Sequence, residues 1–357
     1  CTVAIMNSPK NGGFKAGLIG CGRATASLHL PALKVLDGVE VTALADSDQD
    51  ALQKLGDSNG IEGRYSSVEQ LLDGADVDLV AVCVPVTAHL EVASACIRAG
   101  KHVLIEKPLA IDLQQCDEMI QLGRQSDKVI AVGFNLRWHR LVREARTVLQ
   151  SGALGEIEAV RSRWTSAIRL RQAMPDWRNS RTTGGGSLFE IAVHHFDLWR
   201  FLLDTEVTQV NSLSRSGRFD DESVVLTAEL ENGALANGLF SEHTSDANEL
   251  EICGREGTLG LSLFRYDGLT FTPADSEPGL AARSKQLLDT ALGIPKGLGI
   301  MRRGGDFLLS YQSQWKAFLE AAIEGNHRLA SLQDGRAAVA AVLAANQSAE
   351  QGVAVAL

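Results

Sequence analysis

The chain has 357 residues, 45% of them hydrophobic and 22% charged, enough for two domains with ordinary cores. A net charge of −10 speaks against nucleic acid and anionic membranes as partners, because both call for a concentrated basic surface. No apolar run approaches the length of a membrane span, and the six cysteines form no CxxC pair, so free thiols in a reducing cytoplasm are expected rather than disulfides or zinc.

Residues 1–13, from Cys1 to the pair Gly12-Gly13, read as a flexible leader without a secretory signal. From Phe14 to about Val132 short apolar runs alternate with helical stretches. The runs are KAGLIG, VEVTALAD, VDLVAVCVP, KHVLIEKP and KVIAVGFN. Strand and helix in strict alternation predict a parallel sheet covered on both faces, and strands buried on both faces are continuously apolar, as these are. The expected first domain is 14–137.

Beyond residue 138 the pattern changes to polar and apolar alternation, in GEIEAVRSRWTS, VTQVNSLSRS, SVVLTAELENGALANGLFS, NELEICGREGTLGLSL and GLTFTP. This predicts a large, mostly antiparallel open sheet, with a hairpin turn at Asn232-Gly233. The Gly/Pro/Arg-rich stretch 293–305 reads as a loop, and two helices are expected from Tyr311 onward. The second domain is expected to span 138–357. The fold class is α/β, a doubly wound parallel sheet followed by an α/β domain.

The first strand runs into Gly20-Cys21-Gly22. This is the G-x-G of a dinucleotide fingerprint: the first glycine permits a tight turn, and the second lets the backbone approach a pyrophosphate at a helix N-terminus. Thr25 stands where a third Gly or Ala is usual. The second strand ends at Asp46, whose carboxylate can accept from a ribose diol and repels a 2′-phosphate, so NAD is expected rather than NADP.

Two further stretches carry chemistry. In KHVLIEKPLA a buried strand ends on Glu106, Lys107 and Pro108. In TTGGGSLFEIAVHHFDLWRFLLD, residues 182–204, Glu190, His194 and Asp197 are spaced by four and three and share one helical face. That face fits a surface ion-pair stripe, a metal site short of a third strong ligand, or acid–base catalysis with His194 as proton carrier. His195 points roughly 100° away and reads as structural. Residues 161–181 hold six arginines interleaved with Trp164 and Trp177. Most of these arginines read as a solvated strand face.

These residues carry a resemblance. The sequence resembles the Gfo/Idh/MocA oxidoreductases over nearly its whole length, in GLIGCGRATASLH, VCVPVTAH, HVLIEKPLA, GFNLRW, DWR, GGGSLFEIAVHHFDLWRFL and the closing YQSQWKAFLEAAIEGNHRLASLQDGRAAVAAVLAANQSAEQG. The resemblance implies a Rossmann domain followed by an open-sheet domain. It implies that Lys107 lies beside the nicotinamide and the reacting carbon, and Pro108 is expected to fix its turn through a cis bond. It places the catalytic histidine at His194 and a carboxylate at Glu190, where the family usually has Asp. The cofactor set it implies combines Gly20, Gly22, Arg23, Ala24 and Asp46 with Val84, Pro85, His89, Glu106, Lys107 and Asn135. The substrate set is Lys107, Arg137, Trp177, Glu190, His194 and Asp197, with no metal. Val86 replaces a usual Asn, and Ala192 a usual Gly.

The function implied is an NAD-dependent dehydrogenase acting on a secondary alcohol of a sugar, inositol or related polyol. Pairing through the C-terminal sheet into a homodimer or homotetramer is also implied. The alternative is a glycosidase of the same family that holds NAD tightly and recycles it within each turnover. A catalytically silent NAD or sugar sensor is a third reading, and the presence of both Lys107 and His194 argues against it.

Overall fold

A parallel strand buried on both faces needs long apolar runs, whereas an open sheet needs alternation, and the two halves of the sequence become two different sheets. The computed structural model describes residues 13–276, 295, 297–325 and 329–357. Apart from Gly13, the expected leader with its Cys1 lies outside the described residues. The chain divides into two units: residues 1–135 with 311–336, and residues 136–310 with 337–357.

Among the described residues, the first unit is built on six strands: β1 (Phe14–Ile19), β2 (Val39–Ala45), β3 (Gly63–Tyr65), β4 (Leu79–Val82), β5 (His102–Ile105) and β6 (Ile130–Val132). Their order is β3-β2-β1-β4-β5-β6, parallel throughout. This is the doubly wound order, with its switch point between β1 and β4. Every residue of β4 and β5 is buried. The strand β3 was not anticipated, because three residues, Gly-Arg-Tyr, carry no apolar run. Side-chain caps start the connecting helices. Asp48 accepts from the Asp50 and Ala51 amides at 3.0 Å each, and Asp112 accepts from Gln115 at 2.8 Å.

Residues 311–336 return from the far end of the chain to this first unit, although chain order had assigned them to the second domain. The edge strand β6 gives the reason: the Val132 N–H donates to the Ala330 carbonyl at 2.9 Å. Trp315 is fully buried against Phe318, and Arg336 pairs with Asp117 at 2.6 Å.

The second unit holds β7 (Ile157–Thr165), β8 (Val207–Arg215), β9 (Ser223–Leu230), β10 (Leu235–Ser241), β11 (Ala247–Gly254), β12 (Gly257–Ser262), β13 (Leu269–Pro273) and β14 (Val355–Ala356). Their order is β13-β12-β11-β7-β10-β9-β8-β14, and the β7–β10 pair is parallel while the others are antiparallel. Alternate residues of β9 and β10 are buried. The helix Val193–Leu203 supplies inner-face partners, with Trp199 donating to the Ser162 hydroxyl at 2.8 Å and the His195 ring 5.3 Å from that of Phe240. Gly233 makes its hairpin turn at φ 86°. Three expectations need correction. Residues 297–302 are helical where a loop was expected, the next helix begins at Gly305 rather than Tyr311, and the short β14 closes on β8.

Three buried histidines are held neutral by burial and by their bonds. The Leu141 amide donates to Nδ1 of His139 at 3.2 Å, leaving Nε2 to donate to the Leu263 carbonyl at 3.2 Å. The Val129 amide donates to Nδ1 of His102 at 3.1 Å. His195 pairs with the Asn248 side-chain oxygen at 3.2 Å. Desolvation pushes His102 and His139 down to about 4 and His195 down to about 3. The unfolded chain binds these protons near pH 6.5 and the folded chain does not. Their stabilisation is therefore complete above about pH 6.5 and is lost as pH falls toward 4 and then 3. The unfolding free energy from urea titrations should fall steadily from pH 7 to pH 5, by up to about 1.4 kcal/mol per pH unit for each histidine. In His195→Gln the slope should be shallower; an unchanged slope would count against His195 as a contributor.

Candidate active site

At the switch point of the first unit, Gly20 follows β1 with φ 95°, and a Cβ there would lie 2.5 Å from the Cys83 carbonyl oxygen. Glycine alone accommodates both. The next amide, Cys21 N–H, donates to one Asp46 oxygen at 2.6 Å, and Asp48 N–H donates to the other at 2.8 Å. An ionised carboxylate has about four acceptor positions, so each Asp46 oxygen keeps one for a ribose hydroxyl. A Cβ on Gly22 would have nothing within 4 Å: its backbone stands open, as a pyrophosphate requires. The Thr25 hydroxyl donates to the Gly20 carbonyl, which explains why Thr serves at the third fingerprint position. Arg23, exposed, and Ala24 begin the helical stretch that follows. The residues present fit a dinucleotide.

Val84 and Pro85 follow β4, with Pro85 exposed and the Val86 side chain buried. His89, expected beside the cofactor, is 1% exposed. Its ring nitrogens meet the carbonyls of Val84 at 3.0 Å and Leu109 at 3.3 Å. It therefore ties the loop after β4 to the loop after β5, and burial holds its pKa below the ordinary value. The loop after β5 carries Glu106, buried, and Lys107, half-buried, with a cis Lys107–Pro108 peptide. Asn135 lies beyond β6, fully buried.

In the second unit, the glycine loop 184–186 enters a π-helical turn, Leu188–Ala192, that continues as Val193–Leu203. The turn alters the phase on which the one-face reading relied, and π-turns are frequent at functional sites. His194 is 4% exposed, with its ring 5.2 Å from that of Trp164. Glu190 takes a bidentate pair with Arg178, one bond being Nε to Oε1 at 2.6 Å. Arg178 also reaches Glu242 at 3.3 Å, and Arg169 donates to Glu242 at 2.8 Å. Glu190, expected among the substrate residues, is thus bound into a largely buried ladder of alternating charges. Asp197, expected to contact substrate, is 1% exposed. Its two oxygens accept from Nε and Nη2 of Arg137, at 2.8 and 2.6 Å. Arg137 and Asp197 therefore bond each other inside this unit. Trp177 stays half-buried, with the Arg178 guanidinium 5.9 Å from its ring centre. Arg161 and Arg163 pair across strands with Glu251 and Glu249 on the exposed face, as a solvated strand face would have it. Sequence reasoning missed Arg178 as Glu190's partner, and the bulky ion-pair ladder leaves no periodic signal by which to find it.

Comparison with known proteins agrees with this geometry. The family described as "Oxidoreductase family, NAD-binding Rossmann fold" matches residues 14–134, and the GFO/IDH/MocA C-terminal domain matches 142–260. A myo-inositol 2-dehydrogenase of Thermotoga maritima is 26% identical, over 95% of this chain and 97% of the relative. A 1,5-anhydro-D-fructose reductase of Ensifer adhaerens is 29% identical, over 77% of this chain and 85% of its own. Among solved structures, the WlbA dehydrogenase of Bordetella pertussis, in complex with NADH and UDP-GlcNAcA, superposes with a TM-score of 0.80 at 19% identity, over 98% of this chain and 99% of its own.

The two loop glycines should separate in their effects. Gly20→Ala strains a positive φ and meets the Cys83 carbonyl, so it should cost about 2 kcal/mol or more in urea unfolding. Gly22→Ala should leave stability within about 0.5 kcal/mol and weaken NAD binding by calorimetry about tenfold. Unaltered NAD affinity in Gly22→Ala would remove the pyrophosphate from that loop.

Proposed function

Because the chain belongs to the GFO/IDH/MocA oxidoreductase family, we propose that it transfers hydride between nicotinamide and a secondary alcohol of a sugar, inositol or related polyol. It is an NAD-binding oxidoreductase, and NAD, when bound, supplies the hydride acceptor. The observation that carries the reading is Lys107, at the carboxyl end of a central parallel strand where sheets of this order bind ligands. In this reading the Lys107 ammonium hydrogen-bonds the substrate oxygen and favours its charged form. His194 takes the hydroxyl proton in oxidation and returns it in reduction. Trp177 offers an aromatic face to a sugar ring. Glu190 acts through Arg178, holding the loop that carries Trp177. The named relatives are dehydrogenases and reductases, which favours net redox chemistry over the recycled-cofactor glycosidase. A cytoplasmic location belongs to the same reading and fits five described cysteines that are free thiols.

We also propose pairing of copies through the open face of the second sheet. Leu213, Val225 and Leu239 stand in register across β8, β9 and β10, at 74%, 54% and 39% exposure. The same row continues into Arg163 and Glu249. An apolar row beside a fixed ion pair suits a two-fold, self-complementary contact.

NADH absorbance with NAD and a panel of inositols, aldoses, sugar acids and glycosides tests the first proposal. Wild type should form NADH with a polyol or sugar, and Lys107→Ala and His194→Ala should each lose about 10³-fold in rate. Activity retained by Lys107→Ala would sink the reading; glycoside cleavage without NADH would select the alternative. For the second proposal, light scattering should find a dimer or tetramer at micromolar concentration, and Val225→Glu should shift it toward monomer. A monomeric wild type would overturn it.

A further inference from the structure

Beneath the Glu106-Lys107-Pro108 turn lies a chain of buried hydrogen bonds that the catalytic reading does not use. A π-helical turn, Thr25–His29, carries His29 into the interior of the first unit, where it is fully buried. Its Nε2 lies 2.9 Å from Glu106 Oε1, and the Trp315 indole N–H donates to its Nδ1 at 3.1 Å. The second Glu106 oxygen accepts the Lys107 backbone N–H at 3.1 Å. Tyr311 stands 5.1 Å from the imidazole, edge to face, and burial together with the nearby Glu106 charge holds its hydroxyl well above the ordinary pKa. The Gly133 backbone passes close by: a Cβ there would come within 3.2 Å of Glu106 Oε1.

The donors fix a direction along this chain. An indole nitrogen only donates, so Nδ1 of His29 accepts, and the one imidazole proton sits on Nε2, aimed at Glu106. Burial works against charge on Glu106, but the bond from His29 and the charge of Lys107 outweigh it and hold the carboxyl below its ordinary range. Burial likewise disfavours an imidazolium, while Cys83 and Glu106 draw the His29 pKa up to about 10. The indole decides between them, because a second imidazole proton would face an N–H. The neutral Nε2–H form satisfies both Trp315 and Glu106.

We propose that His29 is a positioning residue for Lys107: it clamps the Glu106 carboxylate onto the Lys107 peptide, and Trp315 fixes the tautomer that makes the clamp. The proposal rests on the reading of Lys107 as the lysine that meets the reacting oxygen. A backbone amide held by a clamped carboxylate sets the direction of the Lys107 side chain. Small misplacement of such a group costs rate rather than binding.

The test reads the Lys107 amide itself, in the whole protein labelled with 15N-lysine and assigned by the signal lost in Lys107→Arg. His29→Ala should move the Lys107 amide proton upfield, the mark of a weakened hydrogen bond. His29→Gln should restore it, since a glutamine amide donates to Glu106 with its nitrogen and accepts from Trp315 with its oxygen. With myo-inositol and NAD as the assay probe, His29→Ala should lose about 10²-fold in kcat with KM and NAD affinity near wild type, and His29→Gln should recover most of it. An unmoved Lys107 amide in His29→Ala overturns the proposal, as does a Gln variant no better than Ala. Should His29→Ala fail to fold, Trp315→Phe keeps the ring and deletes the indole donor; it must shift the same amide, and no shift overturns the proposal. Failure of the underlying reading shows differently, as a Lys107→Ala variant that keeps its activity.

Discussion

The first unit depends on a missing side chain. Between β1 and β4 the backbone at Gly20 passes the Cys83 carbonyl so closely that no Cβ fits. That approach lets the two strands pair to their carboxyl ends, where the strand order reverses and the Cys83 N–H donates to the Ile19 carbonyl at 2.7 Å. From it follow the Cys21 amide on Asp46, the Thr25 hydroxyl on the Gly20 carbonyl, and the π-helical turn that delivers His29 to Glu106. A larger residue at position 20 would disturb the cofactor loop and the support of Lys107 together, because both begin at the same turn.

The second unit is organised by buried charge. Arg169, Glu242, Arg178 and Glu190 alternate in a ladder whose side chains are mostly out of solvent. Each guanidinium needs its carboxylate, since removing one partner would leave an uncompensated buried charge. The departure from Asp to Glu at position 190 gains a physical account: one extra methylene extends the carboxylate toward both Nε and Nη2 of Arg178. Arg137 and Asp197 form a second buried pair. Residues read along a helix as substrate ligands also make, in this unit, the ion pairs that hold its loops in shape.

Much of this was legible in the residues. Strands β1, β2, β4, β5 and β6 announced themselves as apolar runs, and β7 to β13 as alternation, because burial on two faces or one leaves that signature in any sequence. Gly-Arg-Tyr of β3 is too short to leave one. Periodicity tells which face of a helix is apolar but not which sheet it covers, so the return of 311–336 to the first unit was hidden. The same limit hid Arg137 with Asp197 and Trp315 with His29: a hydrogen bond between residues 60 or 286 positions apart leaves no local trace. The π-helical turns were hidden as well, since a helix face drawn at 100° per residue assumes the regularity they break.

The departures from the family pattern fall where the fold tolerates them. Val86 stands for an asparagine, yet its side chain is turned inward and 2% exposed, so the change is absorbed by packing. Thr25 stands for a glycine or alanine, and its hydroxyl finds the Gly20 carbonyl. Side-chain identity matters instead where a charge has to be placed: at Asp46, whose two oxygens are already half engaged by Cys21 and Asp48, and at Glu106, whose oxygens are divided between His29 and Lys107. A site assembled this way can change its neighbours freely, provided that these carboxylates keep their donors.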